Sequence, residues 1–222
     1  MRIVAISDTH EQETNLGLSA GDMLVHAGDW TYKGSDKAIE RFVEWLVSQP
    51  HPHKVFVAGN HELHLDKGIQ RQRKLDIIRK VLAKTTNVHY LENSGITIEG
   101  IKIYGSPASP FFYNWSFNYH RGADIADVWR YIPDDTNLLV THSPPYGILD
   151  EAPQNFGLTA HVGCEELLKT IGRLKDLKAH VFGHVHSGYG MVQQENNGIK
   201  FINASTCTEK YKPTNPPIVF DI

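Results

Sequence analysis

Five short segments place metal-binding side chains directly after apolar runs. They are Ser7-Asp8-Thr9-His10, Ala27-Gly28-Asp29, Ala58-Gly59-Asn60-His61-Glu62, Thr141-His142-Ser143 and Gly183-His184-Val185-His186. Imidazoles and carboxylates are ligands for divalent cations, and imidazole also carries protons near neutral pH. Asp8 and His10 stand two residues apart, as do His184 and His186, a spacing that puts both side chains on one side of extended backbone. Asp8, His10, Asp29, Asn60, His142, His184 and His186 together offer two carboxylates, one amide oxygen and four imidazoles. One tetrahedral zinc needs only four ligands. The set suits two divalent cations about 3.5 to 4 Å apart with one carboxylate bridging. Its mixed nitrogen and oxygen character fits Mn, Fe or Zn better than Mg or Ca, with Mn the expected ion.

Such side chains need rigid elements to bring them together. Apolar runs rich in Ile and Val at residues 2–6, 23–26, 54–57, 101–104, 137–140, 180–182, 199–202 and 218–220 read as strands, bounded by Gly, Pro, Asn and Ser. Between them lies helical spacing. Ser35 is a good N-cap for a helix carrying Ile39, Phe42, Val43 and Leu46, stopped by Pro50. Leu75, Ile78 and Leu82 mark a second helix, and Leu167, Ile171 and Leu174 a third after Gly163. Strands alternating with helices indicate an α/β fold, in which ligands gather beyond the carboxyl ends of strands. Five strands end in the ligand blocks, so the phase of the pattern converges them on one site.

Two features stay open at this level. Arg71, Arg73, Lys74, Arg79 and Lys80 on the second helix form either an anion-binding surface or a solvated face. Residues 106–122, with Phe111, Phe112, Tyr113, Trp115 and Phe117, form a long aromatic loop that either packs on the sheet or walls a pocket. His26, His89 and His180 lie in or beside strands as structural histidines, and His51 and His53 flank Pro52 in a solvated turn.

Composition narrows the classes. A chain of 222 residues, 41% hydrophobic and 21% charged, is too balanced for disorder, and with no linker or repeat it reads as one domain over 1–222. With 22 basic against 25 acidic residues, no long nucleic acid is expected as a partner. No apolar run is long enough to span a membrane. The only cysteines, Cys164 and Cys207, match no disulfide framework or CxxC zinc site, which fits a reducing cytoplasmic setting. Competing catalytic motifs fail: His61-Glu62-Leu63-His64 has the second histidine too early for HExxH, and neither a G-x-S-x-G elbow nor a P-loop is present.

In their order, the blocks D-x-H, G-D, G-N-H-E, H and G-H-x-H resemble the calcineurin-like metallophosphoesterase superfamily. The segments Trp115-Ser116-Phe117-Asn118 with Arg121-Gly122, His161-Val162-Gly163-Cys164, residues 182–189, Asn203-Ala204-Ser205-Thr206 and residues 215–220 are similar to its metallophosphoesterase-domain-containing (MPPED) branch. The resemblance implies a four-layer α/β/β/α sandwich of two mixed sheets flanked by helices. It implies that Asp8, His10 and His186 hold one metal, that Asn60, His142 and His184 hold the other, and that Asp29 bridges them. His61 would be the catalytic histidine outside the ligand set. The superfamily's protein phosphatases follow G-N-H-E with an arginine two positions on, where this chain has His64. Losing that guanidinium fork disfavours a phosphoprotein dianion.

The expected activity is hydrolysis of a phosphodiester, a small cyclic nucleotide or similar diester, by in-line attack of a hydroxide held between the metals. His61 would stabilise charge or protonate the leaving oxygen, and Glu62 either orients it or is a buried structural carboxylate. The aromatic loop offers faces for a nucleobase. Asn118, His120, Arg121 and His161 are candidate substrate contacts, with plain surface polarity as the alternative. Rival readings are a nuclease acting on short single-stranded nucleic acid, and a non-catalytic metal-binding scaffold.

Overall fold

The structure is a computed structural model that describes residues 1–222. Strand Arg2–Ile6 shows why the chain forms layers. Four of its five residues are buried, yet period-two alternation sends them to different cores. Ile3 and Ala5 join Met23, Val25, Val55 and Val57 on one face, while Val4 and Ile6 join Leu24 and Phe56 on the other. A strand buried on both faces must be covered on both sides.

The first sheet has the order Ile218–Asp221, Arg2–Ile6, Met23–His26, His53–Phe56, Val88–Tyr90. Its outer strand Ile218–Asp221 is antiparallel and the others are parallel. The second has the order Gly190–Gln193, Lys200–Asn203, Ala179–Phe182, Leu138–Thr141, Ile101–Ser106, Ser94–Ile98, parallel in its centre and antiparallel at both edges. Ile103, Leu138, Val140, Ala179, Val181 and Ile202 from the second sheet meet the first sheet's inner residues in one shared core.

Helices close the outer faces. Helix α1 (Asp36–Ser48) begins where Ser35 accepts a hydrogen bond from the Ala38 N–H, and it buries Ile39, Phe42, Val43 and Leu46. With α2 (Arg71–Leu82) it covers the first sheet. Helices α3 (Ala123–Trp129) and α4 (Glu165–Ile171) cover the second, packing Ile125, Trp129, Leu167 and Ile171 on Tyr104, Leu139, Phe182 and Phe201. The result is the expected four-layer α/β/β/α sandwich.

Strands Val88–Tyr90, Ser94–Ile98 and Gly190–Gln193, and helix α3, have no counterpart among the elements expected from periodicity. The strands lie at sheet edges and are largely exposed or half-buried, so they carry neither an apolar run nor clean alternation. The basic residues of α2 are mostly in ion pairs: Arg71 with Glu92 at 2.8 Å, Arg73 and Lys74 with Asp36 at 3.0 and 3.5 Å, and Arg79 with Asp76 at 3.1 Å. His51 is buried instead of solvated, its Nε2 donating to the Ser19 carbonyl at 2.9 Å. No helix is long and apolar enough to cross a membrane.

His180 is structural, and it carries a pH signature. It is wholly buried beside Phe182 and Phe201, and its Nε2 donates to Thr141 Oγ1 at 2.7 Å because that hydroxyl spends its proton on the Ser143 carbonyl. Burial pushes the imidazole down to about 3 from 6.5. The unfolded chain therefore binds the proton first, and stability present above pH 6.5 is lost as pH falls toward 3. Thermal melts over that window are expected to show a shallower acid decline for His180→Leu than for wild type; parallel declines would contradict this.

Candidate active site

The ligand blocks converge where both sheets end. The backbone there is laced across sheets: Ser7 bridges Ser205, and the Thr206 N–H donates to the Ser7 carbonyl at 2.8 Å. Asp8, His10, Asp29 and His184 all adopt left-handed backbone, with φ of 50°, 44°, 55° and 68°, so the Asp-x-His and His-x-His pairs converge through tight turns and not through the extended backbone expected from their spacing. Such conformations cost about 1–2 kcal/mol per residue and persist where surroundings dictate them. Here the Asp8 N–H donates to the Gly28 carbonyl at 2.9 Å and the His10 N–H to the Asp29 carbonyl at 3.1 Å.

Close approach explains the glycines. A Cβ on Gly183 would collide with Asp8 Oδ2 and Ser7 Oγ, and one on Gly59 would fall 2.7 Å from both the Asp29 nitrogen and His142 Cε1. Only glycine lets these strand ends pack directly on the ligand side chains.

Four imidazoles share one arrangement. Nδ1 of His10, His61, His142 and His186 faces the carbonyls of Thr31, Tyr32, Ala27 and Thr208 at 3.3, 2.8, 2.9 and 3.0 Å. Donation there fixes the tautomer and aims each Nε2 lone pair inward, the orientation typical of metal-binding histidines. These lone pairs face other acceptors. His10 Nε2 lies 3.4 Å from His186 Nε2, and His142 Nε2 lies 2.8 Å from Asn60 Oδ1 and 3.3 Å from Asp29 Oδ2. His186 Nε2 is also 3.4 Å from Asp8 Oδ1. Acceptors facing acceptors require protons or cations between them.

The donor atoms form the groups Asp8, His10, His186; His10, Asp29, His61; and Asp29, His142, His184, each within 4.8 Å. His10 and Asp29 each belong to two of them, and of the two only the carboxylate has two oxygens with which to bridge. The residues present therefore fit a pair of cations.

The electrostatics agree. Burial pulls His142 down, but the charge of Asp29 and a hydrogen bond to it, with Asp8 adding, raise it to about 9. His186 likewise reaches about 9 against burial, through its hydrogen bond to Asp8 and that carboxylate's charge. Burial dominates for His10 and His184, each lowered to about 4. Burial works to raise Asp29, yet the charges of His142 and His61 hold it well below the usual carboxylate range. Two buried anionic carboxylates thus hold positive charge at the floor of the site.

Glu62 fixes this geometry without touching the His61 ring. Its two oxygens accept from the N–H groups of Gly59 (2.7 Å), Asp29 (3.1 Å) and Thr31 (2.9 Å) and from Thr31 Oγ1 (3.0 Å). Burial, then the charge of Asp29, pushes its carboxyl up to about 8 while the Gly59 and Thr31 donors oppose this. Of the two sequence readings, the geometry matches the buried structural carboxylate. Ser205 is a second positioning group, its hydroxyl donating to Asp8 Oδ2 at 2.9 Å.

Above the ligands opens a cleft of about 390 Å³, floored by Asp29, Asn60, His61, His184 and His186. Phe111, Phe112 and Trp115 from the aromatic loop form one wall and Tyr211 another. The Trp115 ring meets His61 edge-on at 4.2 Å.

The family model for calcineurin-like phosphoesterases matches residues 1–188. The chain belongs to that family. Metallophosphoesterase domain-containing protein 1 of Homo sapiens is 40% identical over 235 residues, which take in 100% of this chain and 71% of that one. A UPF0046 protein of Caenorhabditis elegans is 38% identical over 227 residues, covering 100% of this chain and 75% of its own. A solved crystal structure 14% identical, covering 91% of this chain and 89% of the other, superposes with a TM-score of 0.66 and shares the fold.

As a calcineurin-like metal-dependent phosphoesterase, the chain brings the expected ligand residues and His61 together, while the expected substrate contacts divide. Arg121 lines the cleft, but its guanidinium donates to the carbonyls of Gly163 and Val162, each at 2.7 Å, and pairs with Glu165. Asn118 lies outside the cleft lining; its amide nitrogen donates to the Phe112 and Tyr113 carbonyls at 3.0 Å, bracing the aromatic loop. His120 stacks on Phe111 at 5.1 Å, and His161 Nδ1 pairs with buried Asp150 at 2.6 Å. Neither lines the cleft. Tyr211 and Glu209, which do, carry no motif or spacing that marks them in the sequence.

Proposed function

We propose that this phosphoesterase hydrolyses small phosphodiesters, cyclic nucleotides or diesters of similar size. The observation that carries this reading is a metal-ligand floor beneath aromatic walls in a cleft whose one arginine is already neutralised. A free guanidinium fork is the side chain best matched to a monoester dianion; here Arg121 is committed to Glu165, and His64 is exposed and outside the cleft lining. A diester carries one negative charge and two organic arms, for which aromatic faces are the better match. The cleft's 390 Å³ lies within the range of small-molecule sites. Glu209 adds a negative charge to the cleft wall, which would repel the neighbouring phosphates of an oligonucleotide.

Asp8, His10 and His186 would hold one divalent cation and Asn60, His142 and His184 the other, with Asp29 shared; Mn, Fe and Zn all suit this donor set. A pair of cations held by these residues would supply charge neutralisation for the phosphate and a water pKa low enough to furnish hydroxide near neutral pH. The chain's own residues do the rest. Asp8 and Asp29, buried and hydrogen-bonded, fix where positive charge sits. His61, anchored through Nδ1 on the Tyr32 carbonyl, presents Nε2 to the cleft; as the imidazolium it passes its Nε2 proton to the leaving oxygen and returns to the neutral tautomer with the proton on Nδ1. Trp115 and Phe112 exclude water and position the organic arm.

The test compares bis(p-nitrophenyl) phosphate with p-nitrophenyl phosphate on Mn-loaded protein, then 2′,3′- and 3′,5′-cyclic nucleotides with short oligonucleotides. The diester and a cyclic nucleotide are expected to give at least tenfold higher kcat/KM than their counterparts. A monoester or oligonucleotide preference would overturn the reading.

A further inference from the structure

We infer that Tyr211 is a specificity-determining residue whose ring receives the ester arm retained after cleavage, opposite the Trp115 wall beside the leaving group. The inference rests on the phosphodiester reading above and names the class of diester the site takes: one with an aromatic group on the retained arm.

The aromatic rings of the cleft sit over different parts of the floor. Trp115 lies against His61 at 4.2 Å, and Phe112 approaches His184 at 6.0 Å. Tyr211 lies nearest the other ligand group, 4.8 Å from His10 and 5.7 Å from His186, with His61 farther off at 6.4 Å. If His61 serves the leaving oxygen, the leaving arm lies toward Trp115. Tetrahedral phosphorus then sends its second arm away from the wall formed by Trp115 and its loop neighbours Phe111 and Phe112, and the ring outside that loop is Tyr211.

Tyr211 is held for this position. Its carbonyl accepts from Gln12 Nε2 at 2.8 Å, and its N–H donates to the Thr208 carbonyl at 2.8 Å. That same Thr208 carbonyl faces His186 Nδ1 at 3.0 Å, so the turn carrying Tyr211 is anchored on a ligand histidine. The ring also leans on Tyr32 at 5.7 Å yet remains 40% exposed, which leaves surface for a ligand. Finally, Tyr211 lies beyond the residues 1–188 that match the family. The shared chemistry of the floor does not dictate this wall.

Two diesters with one leaving group and different retained arms test the idea: bis(p-nitrophenyl) phosphate and methyl p-nitrophenyl phosphate. Stacking on an aromatic side chain favours the bound aromatic arm, so the ratio of their kcat/KM values is expected to fall about tenfold in Tyr211→Leu, chiefly through KM. Tyr211→Phe, which keeps the ring, is expected to restore the ratio. A ratio unchanged in Tyr211→Leu, or one lost equally in Tyr211→Phe, overturns the inference. Calorimetric binding of diphenyl phosphate and methyl phenyl phosphate to the Mn-loaded proteins separates this from the activity. Should wild type cleave neither diester, the proposed function falls, while a Tyr211-dependent preference for diphenyl phosphate would still uphold the aromatic wall. Equal binding of the two by wild type would remove it.

Discussion

Asp29→Asn protein is expected to lose about a thousandfold in turnover of bis(p-nitrophenyl) phosphate and to bind fewer than two Mn per chain at saturation. Asp29 is the carboxylate common to two of the donor groups, and it is almost wholly buried. The amide keeps the shape, and its oxygen still accepts the His61 N–H that Asp29 Oδ1 receives at 2.9 Å. What vanishes is a negative charge in a site of low dielectric, where charge stabilisation is worth several kcal/mol. About 4 kcal/mol corresponds to a thousandfold in rate. Metal analysis and kinetics on the same sample check both parts; two firmly bound cations with wild-type turnover would refute the shared-carboxylate scheme.

His61→Ala is expected to behave differently, losing between about a hundredfold and ten-thousandfold in kcat while keeping its cation content. His61 hydrogen-bonds through Nδ1 to the Tyr32 carbonyl, and its Nε2 is 3.9 Å from Asp29 Oδ2, which places it beside the ligand set. The loss should shrink for esters with more acidic leaving groups, since these need less protonation. Reduced metal binding, or a loss independent of the leaving group, would show that His61 is a ligand or a packing residue instead. The contrast between the two variants separates holding the cations from moving the proton.

Much of this site is legible in the sequence because its ligands follow the most strongly patterned elements. Buried parallel strands give unbroken apolar runs, so Asp8, Asp29, Asn60, His142 and His184 announce themselves as polar groups just past the end of a core strand. The sheet edges and α3 leave weaker traces. Ser94–Ile98 has a single buried residue and α3 buries only Ile125 and Trp129, too few positions to establish a period.

The cleft was decided elsewhere. Whether a polar residue is free for substrate depends on which partners distant chain segments bring to it. Arg121 is consumed by Val162, Gly163 and Glu165, and Asn118 by carbonyls of its own loop. Tyr211 reaches the cleft only because Gln12, 199 positions away, and Thr208 pin its backbone. Residue types and strand phase thus determined by themselves the candidate ligands, their order along the chain and an α/β fold whose strand ends converge them, since these follow from local periodicity, while the four-layer sandwich was implied by the family resemblance. Only tertiary structure decided which rings and charges line the cleft, because that turns on long-range contacts that no spacing records.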